Sequence, residues 1–146
     1  MAVEIVEVTD ATPAVHEALA RLLPQLNPTL TVPDMRRVQA LMEDPDVTLL
    51  FAREGEEVVG TATLIVYTTP FWIKARIDEV VVDAGSRGKG VGEAMVRACL
   101  DVARKKGAQI AELQSARIDE RASAHRLYLR MGFEIRNSDI FRISLR

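Results

Sequence analysis

The chain of 146 residues is long enough for one domain and short for two. Its 19 Lys and Arg against 21 Asp and Glu leave a formal charge of −2, which argues against a general nucleic-acid binder with its strongly basic face. Hydrophobic residues at 48% and charged residues at 27% are ordinary for a globular chain, and no apolar run approaches the ~20 residues of a membrane helix. The lone cysteine, Cys99, excludes an internal disulfide, and the first residues are acidic where a signal peptide would be basic, so a cytoplasmic protein is expected.

Residues 3–8 alternate apolar and acidic side chains, the period of a strand with one buried face. Thr12 sets a capping hydroxyl before Pro13, whose φ is preset for a first helical turn, and Val15, Leu19, Leu22 and Leu23 mark one helical face up to Pro24. Met35, Val38, Leu41 and Met42 predict a second short helix, ended by Asp44 and Pro45. Residues 47–53 and 58–67, joined by an acidic turn with Gly55, read as an antiparallel hairpin. A turn carrying Tyr67, Pro70, Phe71 and Trp72 leads to a strand over residues 75–82. Beyond a glycine-rich loop, Val91, Met95, Ala98 and Val102 form a helical stripe that stops before Gly107. Residues 110–114 predict a strand, Ala124, Leu127, Tyr128 and Met131 a helix closed by Gly132, and residues 133–136 and 140–145 two final strands. The order predicts a single α/β domain over residues 1–146, with a mixed central sheet of about 6–7 strands and helices on both faces.

The densest signal runs from the apolar strand end Val80, Val81 and Val82 into Gly85, Arg87, Gly88, Lys89, Gly90, Val91 and Gly92. Glycines let backbone N–H groups approach an anion, and the helix that follows adds the partial positive charge of its N-terminus. A diphosphate suits such a cradle, with Arg87 and Lys89 adding charge-assisted hydrogen bonds. The spacing of Gly88, Gly90 and Gly92 is not the dinucleotide fingerprint, and Glu93 stands where a P-loop would carry Lys and then Ser or Thr.

Arg87, Gly90 and Gly92 after a strand, together with Ala124, Leu127, Tyr128, Gly132 and Phe133, resemble the two diagnostic motifs of the GCN5-related N-acetyltransferase (GNAT) superfamily, and the likeness covers essentially the whole chain. The resemblance implies a GNAT-type splayed sheet and acetyl-CoA as acetyl donor. It implies diphosphate binding by the backbone from Arg87 through Gly88, Lys89, Gly90 and Val91 to Gly92, with Glu93 beside it, and a pantetheine arm laid along Val80, Val81 and Val82 like an added strand. In the family a bulge in this strand turns a backbone N–H towards the thioester carbonyl.

Acetylating an amine needs a base, because an ammonium of pKa ~10.4 has no lone pair at neutral pH. Asp78 and Glu79 sit in a strand between Ile77 and Val80, where carboxylates are expensive unless used or paired. Strand alternation would send them to opposite faces; Glu79, nearest the expected bulge, is the favoured base, and the plainer reading of either is an ion pair with Arg76 or Lys74. The departing thiolate needs a weak acid, and Tyr128, which the resemblance puts beside the sulfur, fits; its plainer reading is a packed ring with a capping hydroxyl. Arg121 stands where many relatives carry Asn, and with Arg117 it reads either as a partner for CoA phosphates or an anionic substrate, or as a solvated helix start. His125 reads as exposed, Cys99 as a small apolar filler, and no clustered ligands suggest a metal.

The expected acceptor is the primary amine of a small molecule, in a pocket shaped by residues 23–35 and 67–72; the aromatic turn in the latter would line it or cover a homodimer contact. An enzyme acting on a protein N-terminus or lysine, and a non-catalytic acetyl-CoA-binding module, are the alternatives. Neither nucleic acid nor membrane is an expected partner.

Overall fold

The computed structural model describes residues 2–115 and 121–146, and the chain divides after Gln114 into two compact units. The first unit contains strands β1 (Glu4–Val8), β2 (Val47–Glu54), β3 (Glu57–Thr68), β4 (Ile73–Val82) and β5 (Ile110–Leu113), with helices α1 (Pro13–Leu22), α2 (Met35–Glu43) and α3 (Val91–Lys105). The sheet runs β1-β2-β3-β4-β5; its first four strands are antiparallel neighbours, and β5 lies parallel to β4, as the crossover through α3 requires. The two early helices begin as their sequences dictate. Thr12 Oγ1 accepts the Val15 N–H at 3.2 Å, and Asp34 Oδ1 accepts that of Arg37 at 2.9 Å.

Strand alternation sorts the core into two layers. Leu49 and Phe51 of β2 pack with Ala18, Leu19 and Val38 from α1 and α2. The intervening Leu50 and Ala52 face the other way, towards the side on which α3 buries Met95, Val96 and Cys99. Gly60 sits at the closest approach of β3 to α3, where a Cβ would lie 2.8 Å from Met95 Cε and 3.1 Å from the Val81 carbonyl oxygen. Helices on both faces of a mixed sheet are therefore present as expected, but the sheet has five strands, fewer than the 6–7 expected.

The shortfall lies at the C-terminus. In the second unit α4 (Ala122–Met131) ends at Gly132, whose φ of +104° closes the helix, and Tyr128 meets Phe133 edge to face at 5.9 Å. Residues 133–136 and 140–145 form no strand. Alternation marks residues that could suit a sheet, but a strand exists only where a neighbouring edge takes its backbone hydrogen bonds, and among the described residues β5 pairs only with β4. Phe141 and Leu145 are accordingly 94% and 96% exposed.

Candidate active site

The site is organised by one irregularity in β4. Thr63 pairs with Asp78 but Thr61 with Val81, so Ala62 is opposed by both Glu79 and Val80, the extra residue of a β-bulge. Glu79 takes a φ of +53°, and it is the only non-glycine residue with positive φ among those described. That conformation costs about 1 kcal/mol or more and persists only where the surroundings impose it. On the opposite edge β5 pairs with β4 only from Lys74 to Ile77, so from Asp78 onward no described strand covers β4. The backbone around Glu79 and Val80 is thus released from the β3 ladder on one side and left without a strand on the other.

The bulge also corrects the expectation that Asp78 and Glu79 face opposite ways. Both line one pocket of about 300 Å³, because the extra residue resets the alternation between them. Their partners differ. Arg76 Nε donates to Asp78 Oδ2 at 3.0 Å and Oδ1 at 3.2 Å, the ion pair considered as the plainer reading, whereas Glu79 has no hydrogen bond or ion pair among the described residues. Lys74 is committed to Glu112 at 3.1 Å. The remaining walls come from α1, α2, the segment between them and the sheet face carrying Leu49, Thr61, Thr63 and Ile65. Leu23, Leu26, Asn27 and residues 30–33 line this pocket, whereas Tyr67, Phe71 and Trp72 are exposed and line no part of it.

Beyond β4, Gly88 and Gly90 adopt φ of +77° and +82°, and Gly90 leads into α3 without bringing a side-chain cap. A Cβ at either glycine would meet no protein atom within 4 Å, so the space above the loop is open to a ligand approaching the backbone. Arg87 Nε donates to the Val82 carbonyl at 3.0 Å, which folds the guanidinium back over the strand end, while Lys89 is exposed. Val91 is buried, anchoring the helix start, and Glu93 in the first turn pairs with Arg97 at 3.0 Å. The loop thus has the backbone openness and the helix terminus that a diphosphate requires.

Gln25, in the 3-10 turn Leu23–Gln25 after α1, carried no signal in the sequence. Its amide donates to Asp83 Oδ1 at 2.9 Å and accepts the Ala84 N–H at 3.0 Å, while Arg21 donates to the Val58 carbonyl at 2.6 Å and reaches Asp83 Oδ2 at 3.5 Å. These bonds tie the entry of the glycine loop to α1 across about 60 residues of chain, a separation at which local pattern is blind.

In the second unit Tyr128 is half-buried on α4, and Arg121 is its N-cap residue. His125 is half-buried rather than exposed, its Nε2 lying 3.3 Å from the Ser115 carbonyl oxygen. Arg117 lies outside the described residues. Cys99 is fully buried, and burial pushes its thiol up to about 12. No grouping of His, Cys, Asp or Glu among the described residues could hold a metal, and no described helix is long and apolar enough to cross a membrane.

The chain as a whole is similar to known proteins. Residues 12–133 match the Acetyltransferase (GNAT) family, and the chain belongs to it. Over 60 residues it is 38% identical to an uncharacterised N-acetyltransferase of Methanocaldococcus jannaschii, a match covering 41% of this chain and 26% of that protein. The fold is that of an aminoglycoside acetyltransferase from an uncultured soil metagenomic sample, crystallised with trehalose (TM-score 0.86, 19% identity, 99% of this chain and 97% of that one). It is shared by glucosamine-6-phosphate N-acetyltransferase from Arabidopsis thaliana (TM-score 0.80, 18% identity, 98% of this chain and 99% of that one). That family uses acetyl-CoA as its acetyl donor.

Proposed function

We propose that this chain, as one acetyltransferase domain over residues 1–146, moves the acetyl group of acetyl-CoA to the primary amine of a small molecule by direct attack. The observation that carries the reading is the bulge at Glu79, which places two carboxylates on a pocket while leaving the adjacent edge of β4 without a strand. A family match across both compact units supports the single domain, and two neighbours whose names specify an aminoglycoside and glucosamine-6-phosphate support a small amine.

The donor brings an activated thioester. Backbone groups from Arg87 to Gly92 hold its diphosphate, assisted by the terminus of α3 and by Arg87 and Lys89. The open edge at Val80, Val81 and Val82 orients its arm, and a released N–H at the bulge faces the carbonyl oxygen as negative charge develops there. Glu79, directly or through a water, takes the proton that the incoming ammonium must lose, while Asp78 stays paired with Arg76. As the new C–N bond forms and the C–S bond breaks, the Tyr128 hydroxyl supplies the proton that the thiolate takes up, and the second proton, which the nitrogen gives up on becoming an amide, returns through water to the tyrosinate. A panel of small amines, peptides and buffer alone with acetyl-CoA, followed by free-thiol release, tests the reading. Turnover with a small amine is expected, and release only with peptides, or with no acceptor, would overturn it.

A further inference from the structure

Resting on the acceptor-site reading of the pocket, we infer that the acceptor is a monocationic amine on an apolar body, an alkylamine or arylalkylamine, and that polycationic amines are rejected. The pocket is chemically two-sided. Asp78 and Glu79 line it from β4, whereas Leu19 of α1, Leu23 of the turn after it, Leu41 of α2, Leu49 of β2 and Ile65 of β3 present aliphatic surface. A carboxylate pair attracts an ammonium group, and the aliphatic walls gain only from apolar surface removed from water. At about 300 Å³ the space is at the small end for ligand pockets, so it suits a compact body and not an oligosaccharide. Arg37 of α2 is the only cationic side chain among the described lining residues, and it has no side-chain ion pair or hydrogen bond among them. A second ammonium on the acceptor would find no free counter-charge: Asp78 is already paired with Arg76, Asn27, Thr31, Thr61 and Thr63 offer only neutral polar groups, and the Arg37 guanidinium repels it. That separates this pocket from one built for an aminoglycoside despite the shared fold.

Two measurements on the full chain test the inference separately from the acetyltransferase reading. Calorimetric binding of the n-alkylamines from ethyl to hexyl to the protein saturated with CoA should tighten about fourfold per added methylene, the equivalent of about 0.8 kcal/mol. Thiol release from acetyl-CoA with the same amines should show kcat/KM rising in the same order, with 1,5-diaminopentane at least tenfold below pentylamine. Arg37→Glu, an exposed change in the first turn of α2 where a carboxylate suits the helix end, should narrow that gap tenfold. Affinities insensitive to chain length, no binding along the series, or a preference for the diamine would overturn the inference, even if polar amines are acetylated. Binding that tightens along the series without thiol release would uphold the pocket's specificity and remove the acetyltransferase reading.

Discussion

Asp78 and Glu79 are neighbours in one strand, yet both line the same pocket, because Glu79 adopts a φ of +53° where β4 carries one residue more than β3. Their chemical settings differ, since Asp78 is held at both carboxylate oxygens by Arg76 and Glu79 is not. The free carboxylate should therefore act as the base. With a single acceptor, so that its own titration is common to every profile, the ratio of kcat/KM for Glu79→Gln to wild type should change across the acidic limb, while the ratio for Asp78→Asn stays nearly flat. The reverse pattern would exchange the roles, and two flat ratios would leave the proton to water.

Tyr128→Phe keeps the ring that meets Phe133 edge to face and removes only the hydroxyl. Turnover should fall by roughly 10² or more, the usual scale for losing a general acid, with acetyl-CoA affinity and melting temperature little changed. Steady-state kinetics beside a thermal melt check this, and an unchanged kcat would return Tyr128 to a packing role.

At Gly90 the φ of +82° is one that a β-branched residue adopts only with strain, and the space a Cβ would enter is open in the protein but lies over the backbone proposed to face the diphosphate. Gly90→Val should weaken CoA binding at least tenfold, about 1.4 kcal/mol, as measured by calorimetry on the folded variant. Unchanged affinity would remove the loop from the donor site.

Gln25 touches the loop only at its entry, through Asp83 and Ala84. Gln25→Ala should raise KM for acetyl-CoA severalfold with a smaller change in kcat, because it loosens the cradle without touching Glu79 or Tyr128. Gln25→Glu, which keeps an acceptor for the Ala84 N–H but sets a carboxylate against that of Asp83, should do at least as much harm. A drop in kcat alone for both variants would contradict the positioning role.

Cys99 reports on the α3 side of the core. Its thiol is raised from the ordinary 9.0 to about 12 by burial, so below pH 9 both folded and unfolded chains keep the proton and the residue adds no pH dependence. Between those values the unfolded chain ionises while the folded one does not, so stability should fall as pH rises, by about 1 kcal/mol per pH unit from this group. Urea unfolding of wild type and Cys99→Ala at a series of pH values isolates the contribution, since Lys and Tyr titration is common to both. An identical slope in the two proteins would show that the thiol is not shielded.

Most of the order of elements, the capped starts of α1 and α2, and the glycine loop were determined by the sequence itself, because each depends on residues within a turn or two of one another: Thr12 with Val15, Asp34 with Arg37, Gly88 with Gly90. The tertiary structure decided the rest. Residues 140–145 alternate as a strand should, but a strand needs a partner edge that no local pattern supplies. The pairing of β4 with β3 sets the bulge, and only the bulge brings Asp78 and Glu79 to one wall. Gln25 acquires its place beside Asp83 only once α1 has packed against the sheet. Capping and turn geometry are short-range and can be read along the chain, whereas register, edge exposure and long-range hydrogen bonds depend on which distant backbone arrives alongside.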